Sequence, residues 1–182
     1  MEMNNDFKLD VVSVRLVKEA PIFSDVKITT PEIATWLIGK YLCEMDREVL
    51  CVVNLKSDNT PINCTMASVG SLNQSLVSPR EIFKTSILSN AANMLLIHNH
   101  PSGSLNPSKD IEITDRLIQL TDLMGIPLLD HIIVGGNNIE YFSMREKGLM
   151  FHKRERYEQD YNNLKFNGNE STLVAEKERT RR

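Results

Sequence analysis

The chain lacks the ingredients of several common kinds of protein. Its cysteines, Cys43, Cys51 and Cys64, are odd in number, lie 8 and 13 positions apart and form no C-x-x-C pair. That argues against a disulfide framework or a cysteine-rich zinc site, and leaves reduced thiols as the simplest account. No apolar run approaches the ~20 residues of a membrane span. The opening MEMNNDFKLD also lacks the basic-then-apolar layout of a signal peptide. The expectation is a cytoplasmic protein with no membrane partner. Nor is there a basic surplus: 21 Lys and Arg face 24 Asp and Glu, a net charge of −3, so nonspecific DNA binding is not the default reading. The glycines of HNHPSG and VGGNN suit turns, and neither stretch precedes the Lys-Ser/Thr of a phosphate loop. No internal repeat is apparent.

What remains is 182 residues, 41% hydrophobic and 6% aromatic, which suits one ordinary domain with a short appendage. We divide it into an N-terminal extension (1–28), a folded domain (29–150) and a polar tail (151–182). The tail carries eight Lys and Arg against six Asp and Glu, so residues 1–150 carry −5. The tail is expected to be helical in pieces or disordered.

Hydrophobic periodicity places the elements. VVSVRLVKEAP reads as a strand or extended arm. Thr30 and Pro31 suit the cap and first position of a helix whose Ile33, Trp36, Leu37 and Tyr41 recur at helical spacing. VLCVVNLK and INCTMASVG, joined by a short turn, predict an antiparallel hairpin. A helix follows Ser78-Pro79, with Ser78 as cap and Ile82, Phe83, Ile87 and Leu88 as its apolar side. NMLLI is a buried strand running into the loop HNHPSGSLNPSKD. Next come a helix with Ile113, Leu117, Leu120 and Met124 on one face, a fourth strand in IPLLDHIIVGG, and a fifth in IEYFSM. Strands alternating with helices, one hairpin included, imply an α/β fold with a mixed β-sheet flanked by helices.

Chemistry concentrates at the end of the third strand. His98 and His100 are two positions apart, so both imidazoles point to the same face. The loop then returns to Asp110 at the start of a helix. Two imidazoles, a carboxylate and an open position make a catalytic zinc site, in which Zn²⁺ lowers the pKa of its water to ~7. Glu48 and Ser108 are candidates for the general base and the oxyanion donor. Plainer accounts stand beside these. An H-x-H can be a hydrogen-bonded turn, an acidic Asp110 suits the helix dipole, and Ser108 suits an N-cap. His131 reads as a hydrogen-bonded core residue or a support for the site, and His152 as solvated.

Together HNHPSG, the following Pro107-Ser108 and D-x-x-x-T, VGSLNQSLVSPREIF and GIPLLDHIIVGG resemble the RadC-like branch of the JAB/MPN metalloproteases. The resemblance covers roughly residues 29–150. It implies a JAB/MPN-like mixed sheet between helices, with cytidine-deaminase-like layers. It also implies a JAMM zinc site in which His98, His100 and Asp110 are metal ligands, Ser108 lies beside the oxyanion and Glu48 is the base. Glu44 and Glu81 compete for that last role. The family pattern is H-x-H-x7-S-x-x-D, whereas this chain reads Ser108-Lys109-Asp110 and has Ile111 where strict spacing expects aspartate. Asp110 keeps the D-x-x-x-T spacing to Thr114, but one helical residue turns a side chain through ~100°, which sets Ser108 and Asp110 in competition for their usual places. The activity implied is zinc-dependent cleavage of an amide bond in a peptide or protein. The alternatives are a DNA-repair-associated accessory protein and an inactive interaction module.

Overall fold

The computed structural model describes residues 13, 15–19, 22, 26–70, 78–136 and 140–150. The tail expectations, His152 included, lie outside these residues, as do five of the eleven residues of VVSVRLVKEAP; its described residues form no strand.

The elements run in the anticipated order. Helix α1 is three consecutive segments, Pro31–Ala34, a π-helical turn Thr35–Gly39, and Lys40–Leu42. Strands β1 (Val49–Leu55) and β2 (Pro61–Val69) form the hairpin, followed by α2 (Pro79–Leu88), β3 (Asn93–Asn99), α3 (Asp110–Met124), β4 (Leu128–Val134) and β5 (Tyr141–Ser143). The sheet order is β2-β1-β3-β4-β5. Among the described residues, β3 and β4 pair in parallel and the other pairings are antiparallel. This is the mixed α/β sheet expected.

Strand alternation divides the core between the two faces of the sheet. Val49, Cys51, Val53, Leu95, Ile97, Ile132 and Val134 pack with Ala34, Leu37, Ile38 and Leu42 of α1. Leu50, Val52, Met94, Leu96 and Leu128 pack with Ile82 and Phe83 of α2 and Leu117 and Ile118 of α3. The strand β1, buried at every position, is therefore covered on both faces. Cys43, Cys51 and Cys64 are free thiols.

Helix faces differ from the periodic reading in several places. Trp36 and Tyr41 are exposed, while Leu37, Ile38 and Leu42 are buried. The π-helical turn is the cause: with more residues per turn, Leu37 and Leu42, five apart, share the inner face. Outside, the Lys40 ammonium lies 5.3 Å from the Trp36 ring centre and 5.0 Å from that of Tyr41, a cation–π arrangement on the surface. On α2, Ile87 and Leu88 are exposed and Ser86 is buried instead, because its hydroxyl donates to Asn54 Oδ1 at 2.6 Å. Asn54 in turn donates to Asn63 Oδ1 at 2.7 Å, so a polar ladder ties the helix to the hairpin. Ser78 occupies the cap position of α2 without a side-chain capping bond. Met124 is exposed, and α3 ends at Gly125 in the left-handed conformation (φ 66°) that glycine adopts without strain.

Candidate metal centre

The site is built at the C-terminal end of β3. The strand extends two residues further than NMLLI, so His98 and Asn99 belong to it and His98 pairs with Leu50 on one side and Ile133 on the other. The ladder continues one step beyond, where the His100 amide donates to the Val134 carbonyl at 3.2 Å. His98 and His100 consequently lie on the same face of β3, with their Nε2 atoms 3.0 Å apart. Asp110 is the first residue of α3. The Pro107 carbonyl accepts the amides of both Asp110 (2.8 Å) and Ile111 (3.1 Å), so the chain already turns helically before α3 begins. That turn brings the Asp110 carboxylate inward, with Oδ1 3.4 Å from His98 Nε2 and Oδ2 3.7 Å from His100 Nε2.

These three residues form a group able to hold a metal ion. Donors ~2.0–2.1 Å from a tetrahedral zinc are ~3.3 Å apart, close to the separations here. A second observation agrees: Asp110 Oδ2 is buried and has no hydrogen-bond partner among the described residues, a costly state for a carboxylate oxygen unless something else meets it. Both rings are anchored through their other nitrogen. His100 Nδ1 donates to the Ser104 carbonyl at 2.6 Å, and His98 Nδ1 faces His131 Nε2 at 2.9 Å. His131 is thus a buried support for the site, as its strand position suggested.

Burial sets the electrostatics. Removal from water depresses the pKa of His98 well below the ordinary value and that of His131 to about 3, with neighbouring imidazoles adding to the shift. Burial pushes the Asp110 carboxyl up to about 6; the nearby Glu48 adds to the rise, and His100 and Lys109 oppose it. The protein alone therefore disfavours charge at this point, and a divalent cation would reverse that balance.

The other two predicted site residues occupy different surroundings. Glu48 is half-buried at the entry to β1, and it is the glutamate whose charge acts on Asp110. Glu44 is exposed, and Glu81 is exposed and pairs with Lys84 at 2.5 Å. Ser108 is exposed, and its hydroxyl donates to Asn106 Oδ1 at 2.7 Å. It is not the helix cap: Lys109 holds that position without a side-chain bond. With one residue fewer between Ser108 and Asp110, the carboxylate is turned inward and the hydroxyl is engaged in the loop.

Sequence reasoning missed Asn99. Strand alternation turns it to the face opposite the histidines, where it is buried. Its Oδ1 accepts the Val49 amide at 2.8 Å and its Nδ2 donates to the Arg47 carbonyl at 3.0 Å. One side chain between the two histidines thereby grips the backbone on both sides of Glu48. The Glu48 carbonyl is held by the amide of Gly70, the residue after β2, at 2.8 Å. Asparagine in the middle of H-N-H was the available signal, since its amide can accept and donate at once.

A mixed sheet bearing an H-x-H at the end of its parallel pair, with an aspartate on the opposing helix start, defines a JAB/MPN-type domain with a candidate metal site. The chain belongs to the RadC-like JAB domain family, whose model matches residues 28–149. It is 45% identical over 129 residues to a UPF0758 protein of Clostridium acetobutylicum, covering 70% of this chain and 56% of that protein. A UPF0758 protein of Clostridium beijerinckii is 44% identical over 131 residues (71% and 56%). One of Rubrobacter xylanophilus is 43% identical over 124 residues (68% and 53%). The chain spans a little over half the length of these relatives.

Two measurements test this description. Asn99→Ala leaves a buried amide and a carbonyl unpaired and is expected to cost ~2–3 kcal/mol in chemical denaturation, with faster hydrogen exchange at the Val49 amide. The pH dependence of metal-free protein tests the electrostatics. Below 6.5 the unfolded chain takes up protons that buried His98 and His131 refuse, so stability falls as pH falls. Asp110 acts oppositely, because its raised carboxyl is relieved as pH drops from about 6 towards 3.8. Asp110→Asn should therefore steepen the loss of stability across that interval, and an unchanged slope would contradict the assignment.

Proposed function

We propose that this domain is a zinc-dependent hydrolase of amide bonds, a metallopeptidase or isopeptidase acting on a peptide or protein. The observation that carries the reading is the convergence of His98, His100 and Asp110, with the Glu48 charge beside them. His98, His100 and Asp110 would hold the zinc, which when bound supplies an activated water and polarises the scissile carbonyl. The Glu48 carboxylate, fixed through its own backbone, takes the proton of the attacking water and passes it to the departing amine nitrogen. Ser108 Oγ–H leaves Asn106 to donate to the developing oxyanion. Free thiols fit a cytoplasmic setting. Among the described residues, no helix is long and apolar enough to cross a membrane.

Metal analysis after reconstitution is expected to find about one zinc per chain in the native protein, and far less in a His98→Ala, His100→Ala double variant. Equal, negligible zinc in both would sink the enzyme reading. In a screen of fluorogenic peptides and isopeptides, Glu48→Gln is expected to keep its zinc and lose about 10²–10⁴-fold in turnover. Full activity in that variant would remove Glu48 from the mechanism.

A further inference from the structure

With both rings neutral, the two ligand imidazoles permit two arrangements. If His98 carries its ring proton on Nε2, it donates to His100 Nε2 at 3.0 Å and closes the site to metal. If it carries the proton on Nδ1, both Nε2 atoms are bare and a cation can sit between them. Resting on the reading of these histidines as metal ligands, we propose that Thr114 and His131 are positioning residues. Through a directed chain of hydrogen bonds they hold His98 in the open, Nδ1-protonated tautomer.

The direction of the chain is read from its far end. Thr114 Oγ1 lies 2.6 Å from the Asp110 carbonyl and 2.6 Å from His131 Nδ1. A carbonyl only accepts, and the hydroxyl has a single hydrogen, so that hydrogen is donated to Asp110. Thr114 Oγ1 must then accept from His131 Nδ1–H. A neutral imidazole has one ring proton, which leaves His131 Nε2 as an acceptor. His98 Nδ1, 2.9 Å away, must therefore be the donor. All three side chains are buried, which confines each proton to its partner in the chain. On the other side the Ser104 carbonyl holds the His100 proton on Nδ1 in the same way.

Two bare nitrogen lone pairs at this distance repel one another unless a cation joins them. The order of the chain thus prepares the site for metal at some cost to the metal-free state. The circuit is closed on itself. Asp110 supplies a carboxylate to the site and, from the same residue, the carbonyl on which the proton order begins. The first turn of α3 consequently orients one ligand directly and another through Thr114 and His131. Outer partners of this kind fix the tautomer and orientation of metal-binding histidines.

Nitrogen-15 shifts of the His98 ring in metal-free protein report its tautomer, and competition with a chromophoric chelator reports zinc affinity. The wild type is expected to show His98 protonated on Nδ1. Thr114→Val leaves His131 Nδ1–H without an acceptor. It should move His98 toward the Nε2–H form and weaken zinc binding about 10–100-fold. Thr114→Ser keeps the hydroxyl and should restore both. His131→Gln and His131→Leu form a second pair should the valine variant not fold. Glutamine can accept from His98 and donate to Thr114, so it should keep the Nδ1–H tautomer that leucine loses. A wild-type His98 protonated on Nε2 would overturn the proposal, as would a folded Thr114→Val with unchanged tautomer and affinity. If His98 is Nδ1-protonated in the wild type and shifts in Thr114→Val, yet the wild type takes up no zinc, the proton chain stands and the metal reading alone fails.

Discussion

The site depends first on the parallel pairing of β3 with β4. That ladder sets His98 beside Ile133, continues to His100 through the Val134 carbonyl, and brings His131 against His98. Because β3 also pairs antiparallel with β1, the sense of strand pairing changes across β3. Open α/β sheets offer ligand positions at the carboxyl ends of strands near such changes. Here the position is filled from the opposite side by the first residue of α3.

Alternation along β3 gives the short H-N-H segment two separate tasks. The even-numbered side chains, His98 and His100, project toward α3 and converge on Asp110, while Asn99 projects the other way and substitutes for backbone in the adjoining strand. A residue on the face away from the chemistry thereby couples the histidines to the backbone of Glu48. The arrangement is tense electrostatically: the buried imidazoles of His98 and His131, which resist protonation, lie beside an Asp110 carboxyl that is reluctant to ionise and has one oxygen unpaired among the described residues. Structures tolerate such local cost where it prepares a site for a ligand that relieves it.

Much of the fold was legible because its signals are local. β1 reads as a continuous apolar run because it is covered on both faces, and the short turn made its antiparallel partner evident. The helix faces were less legible. Trp36 and Tyr41 satisfy a 3.6-residue spacing, yet a π-helical turn rotates the buried stripe onto Leu37, Ile38 and Leu42. Ile87 lost its place to Ser86 because a hydroxyl can satisfy the buried Asn54, and no periodicity of hydrophobicity registers that exchange.

The sequence by itself determined the α/β order, the family resemblance and the identity of the histidines and aspartate, since these follow from spacing within short stretches. It left open whether a shortened Ser108–Asp110 interval could still deliver a carboxylate. Only the tertiary structure decided that, by starting the helical turn at Pro107 so that Asp110 faces inward and Ser108 does not. It also decided what supports the site. Asn99 acts on β1 some fifty residues away in the chain, and Thr114 reaches His131 across the gap between α3 and β4. Such directed contacts between distant segments depend on sheet register and helix placement, which no local pattern of residues encodes.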